Sequence, residues 1–584
     1  MNKNEGLSWR ACIPLEEKEM ANNTFKSILA QFLGSKAIIS MFSFMTTSLF
    51  RILVFLLLSG NVFAQTAKKE IPPDWFLKDP EQDSLQGVSA DRTYATLLKD
   101  QPSRKVLVAV IDSGIDIDHE DLKSIIWVNE KEIAGNGKDD DKNGYIDDVH
   151  GWNFIGGKGG NVGPDTYELT REYMRLTKKF ESADSIKARK KHNTEYTGFL
   201  KIKDKYLKLK IKNEQQYKLY SSAYRYTKAS VDTVKKFLNT EKISAEAVRA
   251  ISTTNPQLLF SKSVVSGVFK TQGDDADLEE YLSNLKGAVD YYEVIVKYGY
   301  NTDFDSRKII GDQYANLTER FYGNNDVKGP DPEHGTHVAG IIGADRNNAI
   351  GIKGIADNVR IMVVRAVPNG DERDKDVANA IIYAVNNGAQ IINMSFGKSF
   401  SPEKAIVDKA VKYAEQKGVL LIHAAGNDGD DLDKETNFPT RKYLNGKEAK
   451  NWIEVGASAW GADQNFVGKF SNYGKKSVSL FAPGVEIYST TPNNQYRNMD
   501  GTSMASPSTA GVAAILMSYF PELTAAEVKD ILLKSSRKFD NLKVQKPGSK
   551  EEVPFESLSE TSGLVNAYEA VKMAKARKAS LSNK

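Results

Sequence analysis

The sequence predicts an α/β protein with a doubly wound, mostly parallel sheet and an inserted α-helical subdomain. Helix-like stretches alternate with short apolar runs, and this alternation is typical of a parallel sheet covered by helices on both faces. The runs are continuous and rich in β-branched residues, as expected for strands buried on both faces. They are Val106–Ile111, Val359–Val364, Ile391–Met394 and Val419–Ile422, and the helix-like stretches between them include Asp376–Asn387 and Pro402–Gln416.

The segment 160–323 interrupts this alternation. It is rich in Lys, Tyr and Glu and poor in Gly and Pro. Its apolar residues recur at helical spacing, for example at Tyr206, Leu207, Leu209 and Ile211. This pattern predicts a helical insertion.

The overall net charge of +3 hides an asymmetry. Between Arg171 and Lys236 there are 19 Lys and Arg residues against 7 Asp and Glu residues, a local net charge of +12. The basic runs Lys187–Lys191 and Lys201–Lys212 would suit an anionic partner, but such runs are more often the solvated faces of helices. One basic segment in an otherwise acidic chain indicates separate modules and argues against a protein that binds nucleic acid as a whole.

The N-terminal region has the pattern of a signal peptide. The apolar core Ile52–Leu58 follows Arg51 and precedes a small-residue stretch that ends at Ala64. We therefore predict cleavage after Ala64, so that the mature protein begins near Gln65. The only cysteine, Cys12, would then be removed, and disulfides would not stabilise the mature protein.

The stretch that precedes this apolar core is long for a signal peptide. Translation from Met41 or Met45 would give a signal of ordinary length. A retained membrane anchor is the alternative, but Arg51 interrupts the apolar stretch Ala37–Leu58 and makes a spanning helix costly. We expect an exported protein, periplasmic or extracellular, with no stable membrane span after cleavage.

Three polar motifs follow one another in the order acid, histidine, serine. Asp112 ends the first apolar run, His334 opens the motif His-Gly-Thr-His-Val-Ala-Gly, and Ser503 lies in Gly-Thr-Ser-Met-Ala-Ser-Pro at the start of a small-residue helix. A serine hydroxyl becomes a nucleophile when a base removes its proton, and a histidine base is oriented by a buried carboxylate. Each motif alone has an ordinary explanation as a turn or a helix cap. Together they predict a catalytic triad.

Two further residues near these motifs receive different interpretations. Asn427 follows the apolar run Val419–Ile422, and its side-chain amide is suited to donate a hydrogen bond to a developing oxyanion. His337 lies one turn after His334, and we interpret it as a buried structural neighbour and not as the base.

The motifs resemble those of the subtilisin-like serine proteases, or subtilases, over roughly residues 74–160 and 326–573. The resemblance implies that Asp112 orients His334, that His334 acts as general base and then general acid, and that Ser503 attacks while Asn427 supports the oxyanion. It also implies a substrate cleft whose S1–S4 side pairs with the substrate backbone as an added strand. The cleft residues are Ser395, Phe396, Gly397, Ala424 and Gly426, with Asp428 near the rim of S1.

A calcium-binding loop is predicted between the acid and the histidine. Asp139, Asp141 and Asn143 have the spacing of positions 1, 3 and 5 of an EF-hand loop, with Gly144 at position 6, Tyr145 at 7 and Asp147 at 9. Position 12 is His150 and not Glu, so the loop departs from an EF-hand, although Asp148 could complete the ligand shell. An acidic turn without an ion is the alternative, but unpaired carboxylates at this density repel one another.

The resemblance to subtilases implies a second calcium site. Residues 345–352 look like the calcium loop that subtilases place after the histidine helix, and Asn348 would bind there together with Asp121. The acidic stretch Asp428–Asp433 could hold a third ion, although a solvated loop is the simpler explanation. We expect structural Ca²⁺ as the cofactor.

The motifs and the resemblance lead to the following division of the chain. Residues 1–64 form the signal-peptide region, 65–104 an N-terminal extension, 105–159 and 324–573 a subtilisin-like catalytic domain, 160–323 the helical insertion and 574–584 a C-terminal tail. The function expected is that of a secreted, monomeric serine endopeptidase acting on polypeptides through an acyl-enzyme. The alternative is a catalytically silent protease fold that binds partners through its helical insertion.

Overall fold

The computed structural model describes residues 71–181 and 189–582. The predicted signal peptide, Cys12, Met41 and Met45 lie outside the described residues. Within the described ranges, no helix combines the length and the apolar character needed to span a membrane. These residues divide into two compact units, one formed by 71–179 and 302–582 and the other by 180–301.

The first unit is built on a large sheet. In the part of the chain that is described, nine strands pair in the order β12-β15-β9-β8-β7-β6-β1-β5-β2. All neighbouring strands from β15 to β2 run parallel, and only β12 pairs antiparallel, with β15 at one edge. The described strands are β1 (Val106–Asp112), β2 (Gly151–Asn153), β3 (Gly156–Gly157), β4 (Gly160–Asn161), β5 (Val359–Arg365), β6 (Ile391–Met394), β7 (Leu420–Ala424), β8 (Trp452–Ser458), β9 (Leu480–Pro483), β10 (Ile487–Thr491), β11 (Gln495–Met499), β12 (Arg537–Lys538), β13 (Lys543–Gln545), β14 (Glu552–Pro554) and β15 (Gly563–Leu564).

Helices complete both units. Those described are α1 (Pro80–Asp83), α2 (Ala90–Thr96), α3 (Glu168–Phe180), α4 (Asn193–Leu238), α5 (Ala245–Ala250), α6 (Pro256–Gln272), α7 (Leu278–Val294), α8 (Arg307–Ile310), α9 (Glu333–Gly343), α10 (Asp374–Asn386), α11 (Lys404–Gln416), α12 (Thr502–Tyr519), α13 (Ala525–Lys534) and α14 (Ala567–Ser582). Short 3₁₀ turns lie at Trp75–Leu77 and Phe555–Ser557, and a π-helical turn, Ile295–Gly299, follows α7.

Both faces of the large sheet are covered, which confirms the doubly wound prediction. Along β1, Val108 and Val110 belong to one core cluster, which also contains residues of α9 and α12. Ala109 and Ile111 point the other way, into a second cluster that contains residues of α10 and α11. The continuous apolar runs of the sequence are thus strands with both faces buried.

Residues 71–104 form part of the core of the first unit. Trp75, Phe76 and Leu77 are fully buried, and the Trp75 indole donates a hydrogen bond to the carbonyl of Glu486 at 3.1 Å. Helix α14 lies against this segment: the amide of Ala567 donates to the carbonyl of Val88 at 2.8 Å, and Lys575 donates to the carbonyl of Leu97. The sequence-based boundary at 573 falls inside α14, where Ala574 is buried.

The second unit is helical and has a core of its own. Helix α4 is 46 residues long, and its C-terminal half contributes Val231 and Val234 to a cluster shared with α5, α6 and α7. This unit is narrower than the predicted insertion 160–323. Residues 160–179 and 302–323, including most of α3 and all of α8, belong to the first unit.

Candidate active site

The acid of the predicted triad ends the central strand. Asp112 is the last residue of β1 and is 1% exposed. Strands β5 and β6 flank β1, so the segments after Arg365 and Met394 leave the sheet on either side of Asp112. The amide of Ser113 donates to Asp112 Oδ1 at 2.7 Å and fixes the carboxylate. Functional groups are expected at this carboxyl edge of a parallel sheet.

His334 lies in the first turn of α9 and contacts the acid directly. Its Nδ1 is 2.8 Å from Asp112 Oδ1, and its side chain is 15% exposed. Gly335 permits this approach, because a Cβ at that position would lie 2.2 Å from the carbonyl oxygen of Gly114 and 3.2 Å from Asp112 Cβ. The close packing of α9 against Gly114 and Asp112 therefore requires a glycine at position 335.

The second histidine of the motif is in a different environment. His337 is fully buried, and its Nε2 is 3.0 Å from the carbonyl of Arg497. Burial lowers the pKa of His337 to about 3, and the proximity of His334 adds to the decrease. His337 is thus a neutral buried side chain in the wall of the site.

Ser503 is the second residue of α12, which begins at Thr502. Its hydroxyl donates to the carbonyl of Ser395 at 3.1 Å, and the hydroxyl of Ser395 donates back to the carbonyl of Ser503 at 2.9 Å. Asn393 supports this pair, since its side-chain amide donates to Ser395 Oγ at 3.0 Å. The amino end of a helix presents unpaired N–H groups and favours negative charge nearby.

Asn427 lies beside the serine loop with its amide oriented. Its Oδ1 accepts two hydrogen bonds from Thr502, from the amide at 2.9 Å and from the hydroxyl at 3.0 Å. The opposite end, Nδ2, would be 3.6 Å from a Cβ placed on Gly501. The Thr502 hydroxyl also accepts from the amide of Gly426 at 3.0 Å. Thr502, which the sequence analysis did not single out, therefore sets which end of the Asn427 amide faces the serine loop.

The predicted cleft residues lie at the ends of two neighbouring strands. Ser395, Phe396 and Gly397 follow β6, while Ala424 ends β7 and Gly426 lies two residues later. Strands β6 and β7 pair in parallel, so these residues share one edge of the sheet. Asn437 lies close to both segments. Its amide donates to the carbonyls of Ala424 and Ala425 at 3.3 and 3.2 Å, and a Cβ on Gly397 would be 2.4 Å from its Oδ1.

The predicted calcium loop brings two of its acids to a third one. Ligand atoms of Asp139, Asp141 and Glu132 lie within 4.8 Å of one another. Glu132 Oε1 accepts from the amides of Asp140 and Asp141, both at 3.0 Å, while Oε2 is buried and has no hydrogen-bond partner among the described residues. Such an oxygen next to two carboxylates fits a hard cation such as Ca²⁺. The sequence analysis missed Glu132 because it precedes the loop.

The other predicted residues of this loop have partners within the protein. Asp147 accepts from the amides of Asn136 and Gly137. Asn143 donates to Asp148 at 2.9 Å, and Asp148 also accepts from the Tyr383 hydroxyl at 2.6 Å. Burial raises the pKa of Asp148 to about 6. The Tyr145 ring packs edge-on against Trp152, Phe154, Phe321 and Tyr383.

The structure also brings together the residues of the second predicted calcium site. Asp121 is fully buried, and its Oδ1 accepts from the Asn348 amide at 2.6 Å. Its Oδ2 accepts from the amide of Ile352 at 2.9 Å. Burial raises the pKa of Asp121. In the acidic stretch 428–433, the amides of Asp428 and Asp430 both donate to Asn472 Oδ1, which folds the loop back on itself.

A buried acid–histidine pair, a serine at a helix start and an oriented amide all lie at the carboxyl edge of the parallel sheet. The chain belongs to the subtilase family, whose sequence model matches residues 103–553. The matched range contains Asp112, His334 and Ser503, all of residues 180–301 and most of the first unit.

Several relatives share part of this range. A thermophilic serine proteinase of Bacillus sp. (strain AK1) is 46% identical over 187 residues, which is 32% of this chain and 42% of that protein. Subtilisin DY of Bacillus licheniformis is 37% identical over 202 residues, or 34% of this chain and 68% of that protein. Thermitase of Thermoactinomyces vulgaris is 35% identical over 240 residues, or 41% of this chain and 74% of that protein. The chain thus spans less than half of the thermophilic proteinase.

Among solved structures, the prenylagaramide maturation protease PagA is similar to part of the chain. It is 30% identical, with a TM-score of 0.34, and the match covers 41% of this chain and 82% of that one.

Proposed function

We propose that this chain is an exported serine endopeptidase that hydrolyses peptide bonds in polypeptides, with Asp112, His334 and Ser503 as its triad. The observation that carries the proposal is the 2.8 Å contact between Asp112 and His334, which joins residues far apart in the sequence. A general base needs such a carboxylate to fix the orientation of its ring. Membership of the subtilase family supports the same assignment.

The reaction begins at the serine hydroxyl. In the resting state this hydroxyl donates to the carbonyl of Ser395, so it must turn toward His334 before it reacts. His334 then takes the proton as Ser503 Oγ bonds to the carbonyl carbon of the substrate, and Asp112 stabilises the resulting imidazolium. His334 returns the proton to the leaving amine, which leaves an acyl-enzyme. Water repeats the sequence and releases the acid.

The developing oxyanion lies where Asn427 and the start of α12 can meet it. Thr502 occupies the oxygen of the Asn427 amide, so the NH₂ group is the end that remains for the substrate. One such donor contributes roughly 10²–10³ in turnover in a serine protease where it has been tested. We assign Asn427 as the side-chain donor, and Ser395–Gly397, Ala424 and Gly426 as the residues that hold the peptide.

Calcium is assigned a structural role at two places. Glu132, Asp139 and Asp141 would bind one ion, and Asp121 with Asn348 would bind another. The protein is expected to act as a monomer in the periplasm or the medium, after removal of the segment that ends at Ala64.

A fluorophosphonate probe tests the assignment of Ser503. We expect the calcium-loaded protein to be labelled at Ser503 and the Ser503→Ala variant to be unlabelled, with both showing the same circular dichroism. A folded parent protein that neither takes the label nor cleaves a peptide would instead support the silent, partner-binding alternative. Mass spectrometry of the products separates hydrolysis from acyl transfer, because only hydrolysis leaves a free carboxyl group.

A further inference from the structure

The segment after β6 presents its backbone to two different sides. In an extended segment, successive residues direct their N–H and C=O groups to opposite edges. Lys398 pairs with Phe438: its amide donates to the Phe438 carbonyl at 3.0 Å, and the Phe438 amide donates back at 2.8 Å. Ser395 and Gly397 therefore face the other edge. The carbonyl of Ser395 meets the Ser503 hydroxyl there, so this edge is the one that faces the nucleophile.

The side chain of Lys398 is buried among acidic groups. It is 2% exposed, and its Nζ lies 2.8 Å from Glu168 Oε2 and 2.8 Å from Asp374 Oδ1. The same Nζ donates to the carbonyl of Glu372 at 2.8 Å. Burial opposes the charge on Lys398, but the carboxylates of Glu168 and Asp374 outweigh it and raise the pKa of the ammonium group.

The segment that follows β5 forms the opposite wall, and its acceptors are also in use. Arg171 donates to the carbonyl of Asp371 at 3.1 Å and to that of Glu372 at 3.2 Å. It also pairs with Glu168 at 2.6 Å. Because β5 and β6 lie on either side of β1, the segments after them run on either side of Asp112. Lys398, the residue after Gly397, thus joins the segment after β6 to the segment after β5 through the carbonyl of Glu372.

We propose that this cluster, Lys398 with Glu168, Arg171 and Asp374, is the end wall of the substrate groove on the amino side of the scissile bond. A peptide would pair with Ser395 and Gly397 and then meet buried ion pairs. At about 3.3 Å per residue, the distance from Ser395 to Lys398 accommodates roughly three substrate residues. Lys398 is then a specificity-determining residue. The inference rests on the proposed function and adds the length of peptide that is recognised.

The buried ion pairs of Lys398 oppose opening of the end wall. A peptide that extended past Gly397 would have to displace Lys398 from two carboxylates whose side chains are each only 4% exposed. Removing one partner of a buried ion pair leaves an uncompensated charge, which is strongly unfavourable. A fourth residue would gain no backbone partner at Glu372, since that carbonyl already accepts from Lys398 and Arg171.

Peptide nitroanilides with one to six residues before the scissile bond test the inference on the unmodified protein. We expect kcat/KM to rise with each residue up to three and then to change by less than about twofold, because no further backbone hydrogen bonds form. The variant Lys398→Met with Glu168→Gln removes both charges together. It is expected to gain about tenfold in kcat/KM from a fourth residue. The matched variant Lys404→Met with Asp408→Asn, which removes an i,i+4 ion pair on α11, should keep the parental profile.

A rise in kcat/KM of tenfold or more between three and five residues in the parent would overturn the end wall while leaving the peptidase assignment intact. If the parent cleaves nothing and takes no fluorophosphonate label, the peptidase assignment fails separately. In that case the affinity of the Ser503→Ala protein for fluorescent peptides of the same lengths still measures the groove. Affinity that keeps increasing beyond three residues would contradict the wall.

Discussion

At the scale of single residues, the site depends on neighbouring residues that orient the side chains of Asn427 and Asp112. Thr502 holds Asn427 by its oxygen, and Ser113 holds Asp112 through its amide. Neither Thr502 nor Ser113 would touch a substrate in the proposed reaction. Asn427 is positioned by Thr502, the residue before the serine, and Asp112 is positioned by Ser113, the residue after the acid.

Replacing Asn427 with Ala should lower kcat by about 10²–10³ with little change in KM, because the amide donates mainly in the transition state. Steady-state kinetics on a short nitroanilide gives both constants. Thr502→Ser keeps the hydroxyl that binds Asn427 and should retain most of the activity. A loss of less than tenfold in Asn427→Ala would show that backbone groups alone stabilise the oxyanion.

Glu372 makes stability depend on pH. Its side chain is fully buried, and burial raises the pKa to about 8, with the nearby Asp371 adding to the rise. The folded state holds the proton of Glu372 up to about pH 8, whereas the unfolded chain loses it near pH 4.5. The protonated carboxyl group therefore makes its full contribution to the free energy of unfolding only below about pH 4.5. Its contribution falls as pH rises toward 8. The upper limit of the loss is about 5 kcal/mol.

The variant Glu372→Gln carries no titrating proton at this position. We expect the free energy of unfolding of the variant, minus that of the parent, to increase between pH 5 and pH 8 and then to level off. Urea unfolding at several pH values measures it. The exposed Glu556→Gln variant should show no such trend, and a flat difference for Glu372→Gln would mean that water reaches the carboxylate.

The residues of the proposed triad stand out in the sequence because each lies in a short motif. Glu132, Thr502 and Lys398 do not stand out. Glu132 lies seven residues before Asp139, and its role becomes visible only when the loop folds back on it. In the sequence, Lys398 has the pattern of a surface lysine. Its burial is explained only by Glu168 and Asp374, which are far from it in the sequence and contact it in the fold.

At the scale of elements, the apolar runs of the sequence predicted strands correctly, whereas the polar composition of residues 71–104 did not predict their burial. All four runs became parallel strands, since continuous burial on two faces leaves a strong pattern. Residues 71–104 look polar on average, but their three consecutive apolar residues from Trp75 to Leu77 are completely buried. A short anchor of this kind has no periodicity by which a sequence pattern could reveal it.

The acidic loop between β1 and β2 should make thermal stability depend on calcium. We expect Ca²⁺ to raise the Tm of the parent, because an ion at 100 times its Kd adds about 2.7 kcal/mol. Glu132→Gln should lose much of this increase, and so should Asp139→Asn. Calorimetry with Ca²⁺ and with a chelator measures the difference.

The exposed Asp540→Asn variant serves as the control and should respond to Ca²⁺ like the parent. If Glu132→Gln and Asp139→Asn also keep the full response, the stabilising ion binds elsewhere, and Asp121→Asn tests the second site in the same way.

At the scale of the whole molecule, the two compact units differ in what they contain. The sheet, Asp112, His334, Ser503 and the acidic loop all belong to the first unit. We therefore expect a protein with residues 181–301 replaced by a flexible Gly/Ser linker to fold and to cleave short peptides with a kcat/KM within about threefold of the parent. This deletion keeps Glu168, Arg171 and Arg307, which a cut at 160 and 323 would remove.

The same deletion tests whether the helical unit limits access for large substrates. The measurement is the ratio of casein cleavage to short-peptide cleavage. We expect this ratio to increase when residues 181–301 are removed, and an unchanged ratio would argue against a gating role. A variant in which the exposed Lys201 and Lys208 are replaced with Gln controls for the positive charge of α4.

The packing of α14 on residues 88–97 affects when the first unit is completed during synthesis. The ribosome makes Asp112 and His334 long before it makes Lys575, which donates to the carbonyl of Leu97. Synthesis from residue 334 to residue 575 takes roughly 10–50 s at about 5–20 residues per second. Throughout that interval one face of the sheet lacks its final cover. A nascent chain has Asp112 and His334 but gains Ser503 only late, and even then it lacks the cover that α14 provides, so the proposed site is assembled only when synthesis is nearly complete.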